Sequence, residues 1–89
     1  MINAKVDLNQ SEIIAALRRL QIGVIDLHRV GHGCPDFAAG IHGINYFMEC
    51  KAPGVNFLTP DEFRFHSTWP GQVAVVHSVD EALKVMGLL

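Results

Sequence analysis

Apolar positions along this chain recur with two different periods, and the changes of period mark out seven elements. From Asn9 onward Ile13, Ala16, Leu17 and Leu20 fall at helical spacing and form one apolar stripe. Asn9 is placed to cap that helix with Glu12 as the acid of an N-x-x-E capping box, and Gly23 stands where the helix would stop. Residues 1–8 show no clear period and read as an arm or a short extended segment. Val24 to Arg29 then alternates Ile25 and Leu27 against Asp26 and His28, the pattern of a half-buried strand. Gly31-His32-Gly33 makes a loop. Pro35 has no N–H for a ladder bond, so it belongs at the start of a second strand running from Asp36 to Ala39. Gly40-Ile41-His42-Gly43 supplies a turn before a third strand, Ile44 to Lys51. With Ile44, Tyr46 and Met48 on one face and Phe47 on the other, that strand reads as central.

The second half opens with a clear helix start. Thr59 is the cap, Pro60 the first helical residue and Glu62 the capping-box acid, and Leu58 with Phe63 makes a hydrophobic staple. The helix should run to about Trp69, where Pro70-Gly71 stops it. Val73 to Val76 is a continuous apolar run of the kind found in strands buried on both faces. Ser78 and Glu81 form another capping box, Val79, Ala82, Leu83 and Met86 give the last helix its buried side, and Gly87 ends it. The order is α-β-β-β-α-β-α, an α/β class with a small mixed central sheet flanked by helices. Its 89 residues make one domain, 1–89, near the lower end of what a single core stabilises.

Composition changes this picture in three places. The chain is 49% hydrophobic and 18% charged, with a mean hydropathy of +0.24, which is apolar for its length and points to surface covered by a partner. A two-fold homodimer would supply that cover. No apolar run approaches the roughly 20 residues of a membrane span, and no basic stretch with an apolar h-region opens the chain, so a cytoplasmic location is expected. Cys34 and Cys50 are not in a C-x-x-C pair and should be free thiols. A formal net charge of −2 argues at first against nucleic acid. If Glu12, Asp36 and Glu49 are neutralised by divalent cations, however, six of the nine acids face seven Lys and Arg.

The candidate chemistry lies in the hairpin. Asp36 begins one strand while Glu49 and Lys51 end the next, so the two carboxylates meet at one end of the pair, and Lys51, two residues from Glu49, shares its face. Acids beside an ammonium group on an apolar hairpin are costly unless metal ions or an anionic substrate occupy the gap, and that suits phosphodiester chemistry. The bland alternative is a surface ion cluster. Glu12 has two readings, a cap only or an acid at the rim of the site. His28, His32 and Cys34 are zinc-type residues, but H-x3-H-x-C is not a standard closed site and shows no fourth ligand. His32, in the Gly-flanked loop before Asp36, and Arg29 are the candidates for contact with a phosphate backbone, against the bland reading of an exposed loop histidine. Trp69, Phe63 and Phe65 belong to a helix that must pack and read as core rather than as base-stacking platforms.

With these residues in view the chain resembles the PD-(D/E)XK nuclease superfamily, and within it the small stand-alone VRR-NUC branch. The matching residues are Pro35-Asp36 and Glu49-Cys50-Lys51, Glu12 on the preceding helix, and Leu58-Thr59-Pro60 after the hairpin, together with the element order. The resemblance implies a restriction-endonuclease-like core and a Mg2+-dependent endonuclease, with Mn2+ able to substitute, that acts on branched DNA such as Holliday junctions, often phage-encoded and dimeric. It implies Asp36 and Glu49 as metal ligands, with the backbone carbonyl of Cys50 and with Glu12 completing the shell. Lys51 would orient the attacking water or stabilise charge on the phosphate. Relatives often carry Gln where this chain has Glu62, whose capping position favours a structural role. A non-catalytic DNA-binding module on the same fold is the alternative.

Overall fold

Helix α1 (Ile2–Arg19) begins well before Asn9 in the computed structural model, which describes residues 2–89. The expected arm at residues 1–8 is therefore helical from Ile2, and Asn9 lies inside the helix rather than at its cap. Its Nδ2 donates instead to the carbonyl of Lys51 at 3.0 Å. The buried stripe is Ile13, Ile14 and Leu17, with the polar Gln10 at its upper end, while Leu20 is exposed. The rotation away from Leu20 follows from where the helix stops. Gln21, not Gly23, takes the left-handed position (φ 67°), and the N–H groups of Gln21 and Ile22 close on the carbonyls of Arg18 and Leu17. This turns Ile22 into the core and leaves Gly23 free to begin a strand.

Four strands follow in the order β1 (Gly23–Asp26), β2 (Phe37–Ile41), β3 (Ile44–Cys50) and β4 (Val73–Val76), adjacent in the sheet in that same order. β1–β2 and β2–β3 are antiparallel and β3–β4 is parallel, so β3 is central as expected. The β2–β3 turn is tighter than Gly40 to Gly43: Ile41 pairs with Ile44, and His42 and Gly43 (φ 53° and 79°) make a two-residue turn of the type whose twist matches paired strands. β4 has a partner on one side only, and three of its four residues are half-buried rather than enclosed on both faces.

Helices α2 (Pro60–Thr68) and α3 (Val79–Val85) complete the α-β-β-β-α-β-α order. One sheet face, carrying Phe37, Ala39, Tyr46, Met48, Cys50 and Val76, packs with α1 and α3 through Ile13, Leu17, Ala82 and Met86 into the core. Val24 joins this face, and Ile25 points the other way, 64% exposed. The expected parity of β1 is thus reversed, because among the described residues no helix covers the opposite face at that edge. There, α2 covers only the β3 side, by Phe65 and Trp69 against Phe47. α2 has no buried residue, and Phe63 of the expected staple is 63% exposed. Among the described residues no helix is long and apolar enough to cross a membrane.

α3 begins differently from a closed capping box. Ser78 Oγ accepts from the Glu81 N–H, but Glu81 Oε1 accepts from the N–H of His77, one residue before the cap, and meets His77 Nδ1 at 2.7 Å. His77 Nε2 faces the Val55 carbonyl oxygen, also at 2.7 Å. Two acceptors on one ring are both satisfied only by the imidazolium, since a neutral ring has one N–H. The carboxylate of Glu81 and the Val55 carbonyl accordingly hold His77 above its ordinary value of 6.5. A raised folded value means that the tether of the 52–58 loop is fully present below pH 6.5 and is lost as pH rises through the folded value. Melting curves of the protein and of His77→Gln between pH 6 and 9 should therefore converge as pH rises; a constant gap would show that protonation does not hold the loop.

Candidate active site

The register of the hairpin brings the predicted acids together. Phe37 pairs with Met48, so Asp36 lies opposite the Glu49–Cys50 end of β3, and Asp36 Oδ2 accepts from the Cys50 N–H at 2.8 Å. Pro35 is fully buried and the Leu27 N–H donates to the Asp36 carbonyl at 2.8 Å, so the backbone that carries this carboxylate is fixed on both sides. Glu49 is 4% exposed, and its Oε1 is buried with no hydrogen-bond partner among the described residues. Lys51, two residues on, places Nζ 3.9 Å from Glu49 Oε2. Alternation along β3 thus puts Phe47, Glu49 and Lys51 on the face opposite the main core.

A third acid joins them from α2. Glu62 Oε1 accepts from Lys51 Nζ at 2.9 Å and, as the capping-box acid, from the Thr59 N–H at 2.9 Å. Its capping role holds, and it is also the closer partner of Lys51, which the sequence did not reveal. The i, i+4 spacing along α2 brings His66 to the same side, where its Nε2 is buried without a partner. His66 is held below its ordinary value by burial, with Glu62 and Lys51 both acting on it. Cys34 and Cys50 are free thiols pushed up by burial and by the charges of Asp36 and Glu49, so neither is poised as a nucleophile.

Burial dominates the electrostatics. It raises Asp36 despite the Cys50 N–H bond, and together with repulsion from Asp36 and Glu62 it pushes Glu49 up to about 9. Burial would raise Glu62 as well, but Lys51 and the Thr59 N–H outweigh it and hold this carboxyl below 4.5. Near neutral pH, Lys51 is therefore balanced by Glu62, and the Asp36–Glu49 pair keeps a proton. The pair has the chemistry of a hard-cation site: oxygen donors, an unpartnered carboxylate oxygen, and a proton that a cation would displace.

Other expected site residues lie elsewhere. Glu12 is exposed on α1, and among the described residues it forms no metal-holding group with Asp36 and Glu49; with the helix starting at Ile2 it is a mid-helix residue turned away from the Ile13–Leu17 stripe. α1 reaches this region through Asn9 instead. His32 (φ 57°) and Arg29 are exposed in the loop before Asp36. His28 pairs with Asp26 at 2.6 Å, and among the described residues no three His, Cys, Asp or Glu side chains, Asp36, Glu49 and Glu62 included, stand in an arrangement that could hold a metal ion.

The loop containing His32 is fixed to α2 at Gly33 (φ 80°), where a Cβ would overlap the Asp61 carbonyl and crowd the Glu62 N–H. Gly33→Ala combines a left-handed backbone with overpacking and should destabilise the protein by about 2–4 kcal/mol. Urea unfolding measures this, and a loss under about 0.5 kcal/mol, the usual range for an unconstrained surface position, would mean that the loop and α2 are not in contact.

Comparison with protein-family models, with curated proteins and with solved structures finds no match for this chain.

Proposed function

We propose that this protein is a divalent-metal-dependent DNA endonuclease of the PD-(D/E)XK type, with a restriction-endonuclease-like core and closest in kind to the VRR-NUC branch. The observation that carries the reading is the meeting of Asp36 and Glu49, with its unpartnered buried Oε1, beside Lys51 at one end of the β2–β3 hairpin. The α-β-β-β-α-β order and the Leu58-Thr59-Pro60 start of α2 add support. A surface ion cluster fits less well, because exposed pairs have no need to bury a carboxylate.

Asp36 and Glu49, with the backbone carbonyl of Cys50, would hold Mg2+, for which Mn2+ can substitute. When bound, such an ion lowers the pKa of water and neutralises charge on the phosphate. The chain's own residues do the rest. Lys51 is a compact point charge on the same face as Glu49, suited to a phosphate oxygen or to the attacking water. Glu62 holds the Lys51 ammonium near the pair, and Asn9 fixes its backbone through the Lys51 carbonyl. Glu12, exposed on α1, stands outside this set.

The substrate follows from what is missing as a reader of bases: no recognition helix or basic arm is present among the described residues, so choice would come from DNA shape, with branched DNA such as a four-way junction the expected class. Paired cuts in strands related by two-fold symmetry call for an isologous homodimer, each chain supplying one site. The exposed apolar residues Ile25, Phe57 and Phe63 are surface such a partner would cover.

The test is incubation of the purified chain with labelled four-way, flap and linear duplex DNA in magnesium, in manganese and in chelator. Metal-dependent cleavage with a preference for the branched substrate is expected, and Asp36→Asn should abolish it while leaving the melting temperature close to that of the parent. Lys51→Ala should lower turnover by roughly 100-fold with little change in metal affinity, as for loss of one charge-stabilising donor. Binding without cleavage under every metal condition would favour a DNA-binding module, and full activity of Asp36→Asn would remove the assignment.

A further inference from the structure

The face that carries the carboxylates continues, two residues further from the hairpin's open end, into a cavity. Along β2 the outward positions run Asp36, Ala38, Gly40, and along β3 they run Glu49, Phe47, Asn45, with Ala38 directly opposite Phe47 and Gly40 opposite Asn45. A cavity of about 250 Å3 sits on these positions, lined by Ala38, Asn45, Phe47, Trp69, Gly71 and Gln72 among others. Ala38 keeps its floor low, and beside it a Cβ on Gly40 would come within 3.1 Å of Asn45 Oδ1, which lines the cavity. Trp69 forms a wall. One face of its indole is stacked on Phe65, with centroids 5.0 Å apart and planes 13° from parallel, and Phe47 meets it edge-on at 5.0 Å. Trp69 as a whole is nonetheless 43% exposed and lines the cavity. Gly71 is what lets it lie this way, since a Cβ there would stand 2.9 Å from Trp69 Nε1.

We infer that this cavity is a binding subsite for one unstacked nucleobase of the DNA strand whose phosphate lies at Asp36 and Glu49. The inference rests on the nuclease reading and adds to it a substrate contact outside the carboxylate cluster. Three features select a nucleobase. The named lining carries no charged side chain, which fits a neutral ring rather than a phosphate. The amides of Asn45 and Gln72 supply donors and acceptors for the edge of a heterocycle. The rigid Phe65-backed indole offers the flat surface on which a base stacks, a sequence-tolerant interaction. The spacing agrees as well: Ala38 and Phe47, which line the cavity, are the next outward pair after Asp36 and Glu49, about 7 Å along the strands and within reach of a single nucleotide. Branched DNA presents unstacked bases at its crossover, whereas an uninterrupted duplex does not, so the cavity gives a physical basis for preferring branches.

Trp69 is the only tryptophan in the chain and reports on its own cavity. The protein in chelator is titrated with a ten-residue oligothymidylate and with an abasic sugar-phosphate strand of equal length, reading both Trp fluorescence and strand anisotropy. We expect binding of both strands, quenching by the thymidylate only, and affinity for the thymidylate about 5- to 100-fold higher, the range of one stacked base. Ala38→Leu fills the floor while keeping the reporter and should remove the quenching and the affinity difference; Trp69→Phe should retain part of that difference. Equal affinity for both strands without quenching, in a protein that cleaves branched DNA with magnesium, overturns the subsite and leaves the nuclease reading intact. A protein that neither binds strands nor cleaves overturns both.

Discussion

A carboxylate pair buried at the end of a hairpin is an electrostatic debt that the surrounding structure must offset, and the contacts of Cys50, Lys51 and Glu62 answer to it. Glu49 is almost wholly removed from water and faces Asp36. Within a low-dielectric surrounding two such groups cannot both ionise cheaply. The protein offers a Cys50 N–H to Asp36, a Lys51 ammonium to the pair, and a proton retained on Glu49. α1, α2 and the loop before β2 are each anchored to this point: Asn9 at the Lys51 carbonyl, Glu62 at Lys51 Nζ, and Gly33 against the first turn of α2.

The sheet has two unequal faces for the same reason. α1 and α3 close one face into an apolar core that contains Phe37, Met48, Cys50 and Val76. The other holds the acids, and a helix that sealed it would bury them without access to any ligand. α2 therefore covers only the Phe47 side, with Glu62, Phe65, His66 and Trp69 turned inward at spacings of three and four, and leaves Ile25 and Ala38 open. A helix with no fully buried residue is a consequence of partial cover.

Local signals predicted what depends on local physics. The capping box at Thr59 and Glu62, the β2–β3 pairing, the convergence of Asp36, Glu49 and Lys51, the Val73–Val76 strand and the Gly87 stop were all readable, because each is set by spacing or by one residue's conformational preference. Failures occurred where tertiary context decides. The parity of β1 depends on which face a helix covers, so Ile25 and Val24 exchanged roles. Gln21 took a left-handed position that sequence assigns to glycine, and Glu12 lost its place when the helix proved to start at Ile2. The second function of Glu62 was hidden because a capping box accounts fully for an acid at that position, and nothing in the spacing shows that the same oxygen also faces Lys51.

That shared oxygen ties the fold to the site. Thr59 N–H and Lys51 Nζ both donate to Glu62 Oε1, so the start of α2 and the position of the ammonium group are set together. A glutamine there would still accept the cap bond, but it would leave Lys51 without a full counter-charge, and Lys51 would then turn to Glu49 and Asp36 for it. With glutamate in place, Lys51 is compensated from the helix side, at 2.9 Å against 3.9 Å to Glu49. The Asp36–Glu49 pair itself keeps a proton, because burial and the mutual repulsion of the two carboxylates raise Glu49. A cation that displaced this proton would accept several oxygen donors at once, which a second lysine could not do.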